Sequence, residues 1–249
     1  MPKVTVAIPT YNRAHYLKEA IESVLNQTYT DYELLVVDNA STDITEEVVK
    51  SFSDKRIKYI KNETNIGMVN NWNKCIDLAQ GEYLIIFHDD DIMKPELLEK
   101  EVEILDNNDD IVLVATNISI IKDNGLILKQ KEEKLTNNII MGKYEFIYKL
   151  YKEKFFLPCP TVMMRLNFIN QNNIRFRPEV GLNADGYMWM EINLHDKKML
   201  FLHEPLLLYR HHENQNSIIN FFERNINGYK YSMKLLIKVS KVFFSSKFR

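Results

Sequence analysis

Along the first hundred residues the apolar positions switch repeatedly between a two-residue and a helical period. Val4, Val6 and Ile8 alternate with Thr5 and Ala7 until Pro9, which predicts a strand running into a loop. Leu17, Ala20, Ile21, Val24 and Leu25 then fall on one helical face. Glu33–Val37 reads as a short apolar strand ending at Asp38, and Arg56–Ile60 as another. Val69, Trp72, Cys75, Ile76 and Ala79 mark a second helix, which Gly81 breaks. The buried strand Tyr83–Phe87 follows and ends in His88-Asp89-Asp90-Asp91. Strands alternating with helices predict an α/β fold with a largely parallel sheet.

After the acidic triplet the rhythm changes. Pro95 opens an acidic helix through about Asn107, as proline and carboxylates in a first turn predict. Ile111–Ala115 reads as a strand, and Asn117–Gln130 as a hairpin turned at Asp123-Asn124-Gly125. A short amphipathic helix is expected over Lys143–Tyr151, a strand over Thr161–Met164, a helix over Asp185–Leu194 and a strand over Met199–Leu202. No repeat, low-complexity linker or flexible hinge interrupts the chain, which favours two lobes on one sheet over two independent domains.

Composition narrows the classes. The chain has 249 residues, 45% hydrophobic and 27% charged, as in ordinary globular proteins. A net charge of −2 gives no global attraction for nucleic acid, so no nucleic-acid partner is expected. None of the seven glycines forms a phosphate-cradling G-x-G-x-x-G or G-x-x-x-x-G-K-[ST] loop. Cys75 and Cys159, both in apolar settings, exclude a disulfide scaffold and a four-cysteine zinc site. With no signal-peptide core after Met1-Pro2-Lys3 and no apolar run near the about 18 residues of a membrane span, a cytoplasmic protein is expected. Charge is uneven, however: residues 216–249 carry seven basic side chains against one acid, Glu223.

Three strand ends carry chemistry: Pro9-Thr10-Tyr11-Asn12-Arg13, Asp38-Asn39-Ala40-Ser41-Thr42-Asp43 and Asp89-Asp90-Asp91. In open α/β sheets ligands sit at such carboxyl ends. Three adjacent carboxylates repel one another unless a cation compensates them, and hard oxygen donors suit Mg²⁺ or Mn²⁺ shared with a ligand's phosphates. A solvated acidic loop capping the next helix is the plainer alternative for the triplet alone. Its place after a buried strand, beside two other polar strand ends, favours the metal site. Asp38 could accept from a nucleobase N–H and Tyr11 could stack on the base. An Asx turn and a packed surface tyrosine are their plainer readings.

Together these elements strongly resemble family 2 glycosyltransferases of the GT-A fold. The resemblance runs from V-x-V-A-I-P-T-Y-N-R through E-L-L-V-V-D-N-A-S-T-D, Asn65-x-Gly67 and Ala79–Tyr83 to the triple aspartate, matching the family's DxD element. It implies a metal-dependent, inverting enzyme of bacterial surface-glycan type, with a Rossmann-like sheet and helices on both faces. The donor would be a nucleoside-diphosphate sugar, UDP leading, and the acceptor a hydroxyl of a glycan, lipid-linked by analogy. Carried over by position, Pro9, Tyr11 and Arg13 frame the base and Asp38 contacts it. Asn65, Gly67 and Asp90 belong to the nucleotide-sugar site, while Asp89 and Asp91 hold ribose and the Mn²⁺ or Mg²⁺. Where many relatives carry an Arg-Asn pair, Asn70 and Asn71 stand, which leaves the contact from that helix open.

Beyond residue 105 the resemblance has two anchors. Asn183–Trp189 is similar to the acidic element that supplies the family's catalytic base, here Asp185; a helix N-cap is the plainer alternative. Leu208–His212 is similar to Y-R-x-H, which implies Arg210 beside the diphosphate and His212 in the metal shell. The implied organisation is a nucleotide-sugar half over 1–105, an acceptor half over 106–215 and a basic amphipathic helix over 216–249. That helix suits an anionic membrane surface as well as a position packed on the core. A non-catalytic membrane-docked scaffold and a nucleotidyltransferase are the rival functions; the latter lacks its glycine-rich loop.

Overall fold

The structure is a computed structural model that describes residues 1–130 and 137–212. The basic helix expected over 216–249, and its membrane surface, lie outside the described residues. Strands β1 (Val4–Thr10), β2 (Tyr32–Asp38) and β3 (Ile57–Lys61) are linked through helices α1 (Ala14–Leu25) and α2 (Thr45–Lys50). Helix α3 (Met68–Leu78) returns the chain to β4 (Tyr83–Ile86) on the other side of β1. The four strands run parallel in the order β3-β2-β1-β4. The direction of winding therefore reverses between β1 and β4, the place where such sheets open a ligand crevice.

The strand pattern decides the layers. Val4, Val6 and Ile8 pack with Leu17, Ile21 and Val24 of α1 on one face of the sheet. Ala7, Leu35 and Val37 point the other way, against Trp72, Cys75 and Ile76 of α3. Gly81 sits where α3 hands over to β4: a Cβ there would lie 2.5 Å from the backbone N of Thr5. Only glycine allows that approach.

Beyond β4 come β5 (Ile92–Met93), α4 (Leu97–Asn107), the long β6 (Ile111–Lys122) and β7 (Ile127–Gln130). Next are β8 (Ile139–Met141), α5 (Glu145–Lys152), β9 (Met163–Arg165), α6 (Leu166–Gln171), α7 (Ala184–Asn193) and β10 (Lys198–His211). The central sheet continues β4-β9-β6-β10-β5, with β6 and β10 parallel and shorter strands antiparallel at its joins and edges. Most paired residues thus lie in parallel ladders.

Three expectations need correction here. The strand expected over Met199–Leu202 runs on to His211, through Pro205; register shifts on both sides of Pro205 absorb its missing N–H. The strand from Ile111 and the first arm of the hairpin are one element, β6, with the turn at residues 123–125 as expected. Thr161 closes a 3-10 turn instead of opening a strand. No helix among the described residues is long and apolar enough to cross a membrane.

Candidate active site

The loops after β1, β2 and β4 converge on a cleft of about 290 Å³. Tyr11 and Arg13 enter from β1, Asn39 from β2, Asn65 from the loop after β3, and Asp89 and Asp90 from β4. Asp185 on α7 and Tyr209 on β10 complete the lining. Two residues hold left-handed backbone there, Asn12 at φ 53° and Ala40 at φ 65°. Such strain persists only where surroundings over-determine it. Here the β1 and β2 loops are laced together: Asn12 N–H donates to Ser41 Oγ at 2.9 Å, and Thr42 N–H to Asn12 Oδ1 at 2.8 Å.

The acidic triplet is buried, each member in a different setting. Asp90 Oδ2 receives Arg13 Nη1 at 2.6 Å and lies 3.0 Å from His212 Nε2. Asp89 Oδ1 receives the same Arg13 nitrogen at 3.3 Å. Asp91 Oδ1 accepts the backbone N–H of Arg210 at 2.9 Å, while its Oδ2 is buried with no hydrogen-bond partner among the described residues. Burial, with the charge of Asp90 beside them, pushes the Asp89 and Asp91 carboxyls above the usual carboxylate range. Burial also acts on Asp90, but His88, Arg13 and His212 outweigh it and hold that carboxyl low.

His88 completes this end. Its ring stacks on Trp72 with centroids 5.6 Å apart, Nδ1 lies 3.8 Å from Asp91 Oδ2, and Nε2 is buried without a hydrogen-bond partner among the described residues. Burial lowers its pKa and so favours the neutral, ligating imidazole. Donor atoms of His88, Asp90 and Asp91 lie within 4.8 Å of one another. An orphaned buried carboxylate oxygen facing an imidazole fits a divalent cation such as Mn²⁺.

The other end of the cleft is built from amides. Asn39 Nδ2 donates to Asn65 Oδ1 at 2.8 Å, and Asn62 Nδ2 to Asn39 Oδ1 at 3.0 Å. Gly67, at φ 83° before α3, turns its N–H onto Asn65 Oδ1 at 2.9 Å. Asn71 also lines the cleft, whereas Asn70 bonds back to the Ile66 carbonyl.

Asp185 lies in the first turn of α7, past the Asn183 cap, so the plain N-cap alternative does not describe it. Its carboxyl reaches the cleft but is deeply surrounded by protein, and burial raises its pKa to about 6. The Gly186 N–H, at 2.7 Å, offsets part of that rise.

Of the residues singled out from sequence, Pro9, Tyr11, Arg13, Asn65, Asp89, Asp90 and Asp185 line the cleft. Gly67, Asp91 and His212 stand behind it through the contacts above. Asp38 is fully buried: Oδ1 takes the Ser41 N–H at 2.8 Å and Oδ2 the Tyr59 hydroxyl at 2.5 Å. The Asx-type turn therefore describes its local contacts. Arg210 points away from the cleft; Nε donates to the Asp90 carbonyl at 2.9 Å and Nη1 to the Asp123 carbonyl at 2.7 Å, while Nη2 meets Glu19. His88, Asn39 and Trp72 were missed by sequence reasoning. For His88 a signal was available: it immediately precedes the triplet.

A crevice at a reversal of winding, with Asp89, Asp90 and Asp185 in its lining, fits a nucleotide-sugar glycosyltransferase of the GT-A fold. The sequence profile of glycosyl transferase family 2 matches residues 5–170, and the chain belongs to that family. An uncharacterized glycosyltransferase of Methanocaldococcus jannaschii is 33% identical over 247 residues, 97% of this chain and 82% of the relative. The chain is also 30% identical to the UDP-Glc:alpha-D-GlcNAc-diphosphoundecaprenol beta-1,3-glucosyltransferase WfgD of Escherichia coli, across 86% of this chain and 79% of that enzyme. Among solved structures, S. aureus TarS 1-349 in complex with UDP-GlcNAc superposes with a TM-score of 0.72 at 22% identity. That match spans 87% of this chain and 62% of that one, and shows the GT-A fold.

Proposed function

We propose that the chain is a metal-dependent, inverting glycosyltransferase that moves a sugar from UDP to a hydroxyl of a lipid-linked glycan. The observation that carries this reading is one cleft lined by His88 and Asp90 of the His88–Asp90–Asp91 donor set and by Asp185. WfgD, named for a UDP-Glc donor and a diphosphoundecaprenol acceptor, supports the donor and acceptor classes.

In this reading Asp90, Asp91 and His88 hold the divalent cation, and Asp89 joins the donor end. When bound, the cation supplies electrostatic stabilisation of the departing diphosphate. Arg13, whose guanidinium contacts both Asp89 and Asp90, offsets part of the triplet's negative charge and so favours an anionic ligand. Asp185 takes the acceptor hydroxyl's proton as that oxygen bonds to the anomeric carbon. The bond from that carbon to the diphosphate oxygen breaks, and its electron pair leaves with the UDP. One displacement inverts the anomeric centre. A carboxyl with a pKa of about 6 is ionised at neutral pH yet still basic enough to accept that proton.

The test is transfer from a panel of UDP-sugars to a synthetic lipid-diphosphate glycan in Mn²⁺, followed by anomeric assignment of the product. Transfer with inversion supports the proposal. Retention of configuration, or equal transfer in excess chelator, would overturn the corresponding part.

A further inference from the structure

We propose that the tip of the β6–β7 hairpin docks the chain on an anionic bilayer surface with its cleft side towards the lipid, an inference that rests on the lipid-linked acceptor proposed above.

The hairpin stands on the cleft side of the sheet. Met163 of β9 pairs with both Ile85 of β4 and Val114 of β6, so those two residues are level. β4 ends at Ile86, whereas β6 continues to Lys122, roughly 25 Å of strand further. Arg210 then ties the tip to the acidic triplet: Nη1 donates to the Asp123 carbonyl at 2.7 Å and Nε to the Asp90 carbonyl at 2.9 Å. A surface that holds the tip therefore meets the same edge of the sheet on which the cleft opens.

The turn itself is closed by its own backbone. The Lys122 N–H donates to the Leu126 carbonyl at 2.8 Å and the Gly125 N–H to the Lys122 carbonyl at 2.9 Å, with Gly125 at φ 78°. Directly after it Leu126, Ile127 and Leu128 are 62%, 64% and 45% exposed. Successive strand residues face opposite sides, so both faces of this end are apolar and uncovered. One exposed leucine is ordinary; three in a row on a projecting tip mark a contact surface.

Two observations select a bilayer over a second copy of the chain. Pairing along the outer edge of β7 would satisfy its backbone but leave apolar side chains on both faces in water, whereas the headgroup–acyl boundary surrounds a tip on all sides. The charge agrees. Lys122 is exposed, and Asp123, the one acid over residues 122–128, turns its carboxylate onto the Tyr16 hydroxyl. The tip thus offers positive charge to anionic headgroups.

A label reads the contact at the residue itself. Cys75 and Cys159 are buried, so Ile127→Cys in the full chain takes a polarity-sensitive thiol dye at one exposed place. Ile140→Cys, similarly exposed on β8 but paired near the start of β10, is the control. With vesicles of equal parts phosphatidylethanolamine and phosphatidylglycerol, we expect the dye at 127 to shift to the blue and the dye at 140 to stay as in buffer. Leu126→Ser, Ile127→Ser and Leu128→Ser combined should weaken vesicle binding about tenfold or more. The same variant should transfer more slowly to an acceptor embedded in those vesicles and as wild type does to a short-chain, water-soluble one. An unshifted dye at 127, whether or not the protein is on the vesicles, would overturn the proposal, as would undiminished vesicle binding by the triple variant. So would a shift that needs only a higher protein concentration, the mark of a second copy. If wild type transfers to neither acceptor the proposed function fails, and the dye at 127 still decides the docking.

Discussion

The backbone N–H of Arg210 donates to Asp91 Oδ1 at 2.9 Å, tying β10 to the acidic triplet across 119 residues of sequence. The side chain extends the tie, reaching the Asp90 carbonyl, the hairpin turn at Asp123 and Glu19 on α1. Arg210 is 3% exposed and touches no part of the cleft lining except through Asp90, which makes it a positioning residue. Arg210→Met keeps the backbone contact and removes the rest. We expect a loss of about 2–4 kcal/mol in stability, read by denaturant unfolding, together with weaker Mn²⁺ binding. Unchanged metal affinity in the folded variant would limit Arg210 to a structural role.

Asp185→Asn should bind UDP as wild type does while transfer falls by about 10²–10⁴-fold. In wild type the base works ionised, so turnover should fall as pH drops below about 6. Stability should move in the opposite sense. A carboxyl raised from 3.8 to about 6 binds more protons folded than unfolded between those values. Its contribution is fully present below pH 3.8 and lost as pH rises through 6. Melting curves of Asp185→Asn should lack that slope.

The cation site makes a paired expectation. Asp89 and Asp91, raised by burial, must shed protons before the triplet binds a cation, so Mn²⁺ affinity should rise with pH. Imidazole suits Mn²⁺ better than Mg²⁺, so His88→Ala should weaken Mn²⁺ by about tenfold or more and Mg²⁺ by less. Calorimetric titration of both ions checks this. Equal losses would place His88 outside the donor set.

Glu101 on α4 offers a control remote from catalysis. It is fully buried, neither carboxyl oxygen has a hydrogen-bond partner among the described residues, and burial raises its pKa well above the carboxylate range. Glu101→Met, similar in volume, should raise stability at neutral pH by about 1–3 kcal/mol and leave transfer unaltered. The gain should shrink at acid pH, where the native carboxyl is protonated without cost. A lower melting temperature would contradict this.

Much of the nucleotide half was legible in sequence because its information is local. Alternating Val4, Val6 and Ile8, the α1 stripe and the apolar runs before Asp38 and Asp89 each specify an element and its buried face within a dozen residues. The later half was less so. The apolar run Met199–Leu202 predicts a short strand, yet pairing with β6 carries β10 on past Pro205 through shifted register. Side-chain direction was least legible. The Asx turn at Asp38 foreshadows Ser41, but nothing near Asp38 announces Tyr59, and nothing near Arg210 announces Glu19. Those partners meet only once the sheet order is set, so the motifs located the site but not which members face the ligand.

The most direct test of the central claim is UDP binding by titration calorimetry in Mn²⁺ and in chelator, for wild type, Asp185→Asn and Asp91→Ala. We expect metal-dependent binding in wild type, the same binding in Asp185→Asn, and little or none in Asp91→Ala. Binding that is indifferent to chelator and to Asp91→Ala would contradict a donor site built on the triplet.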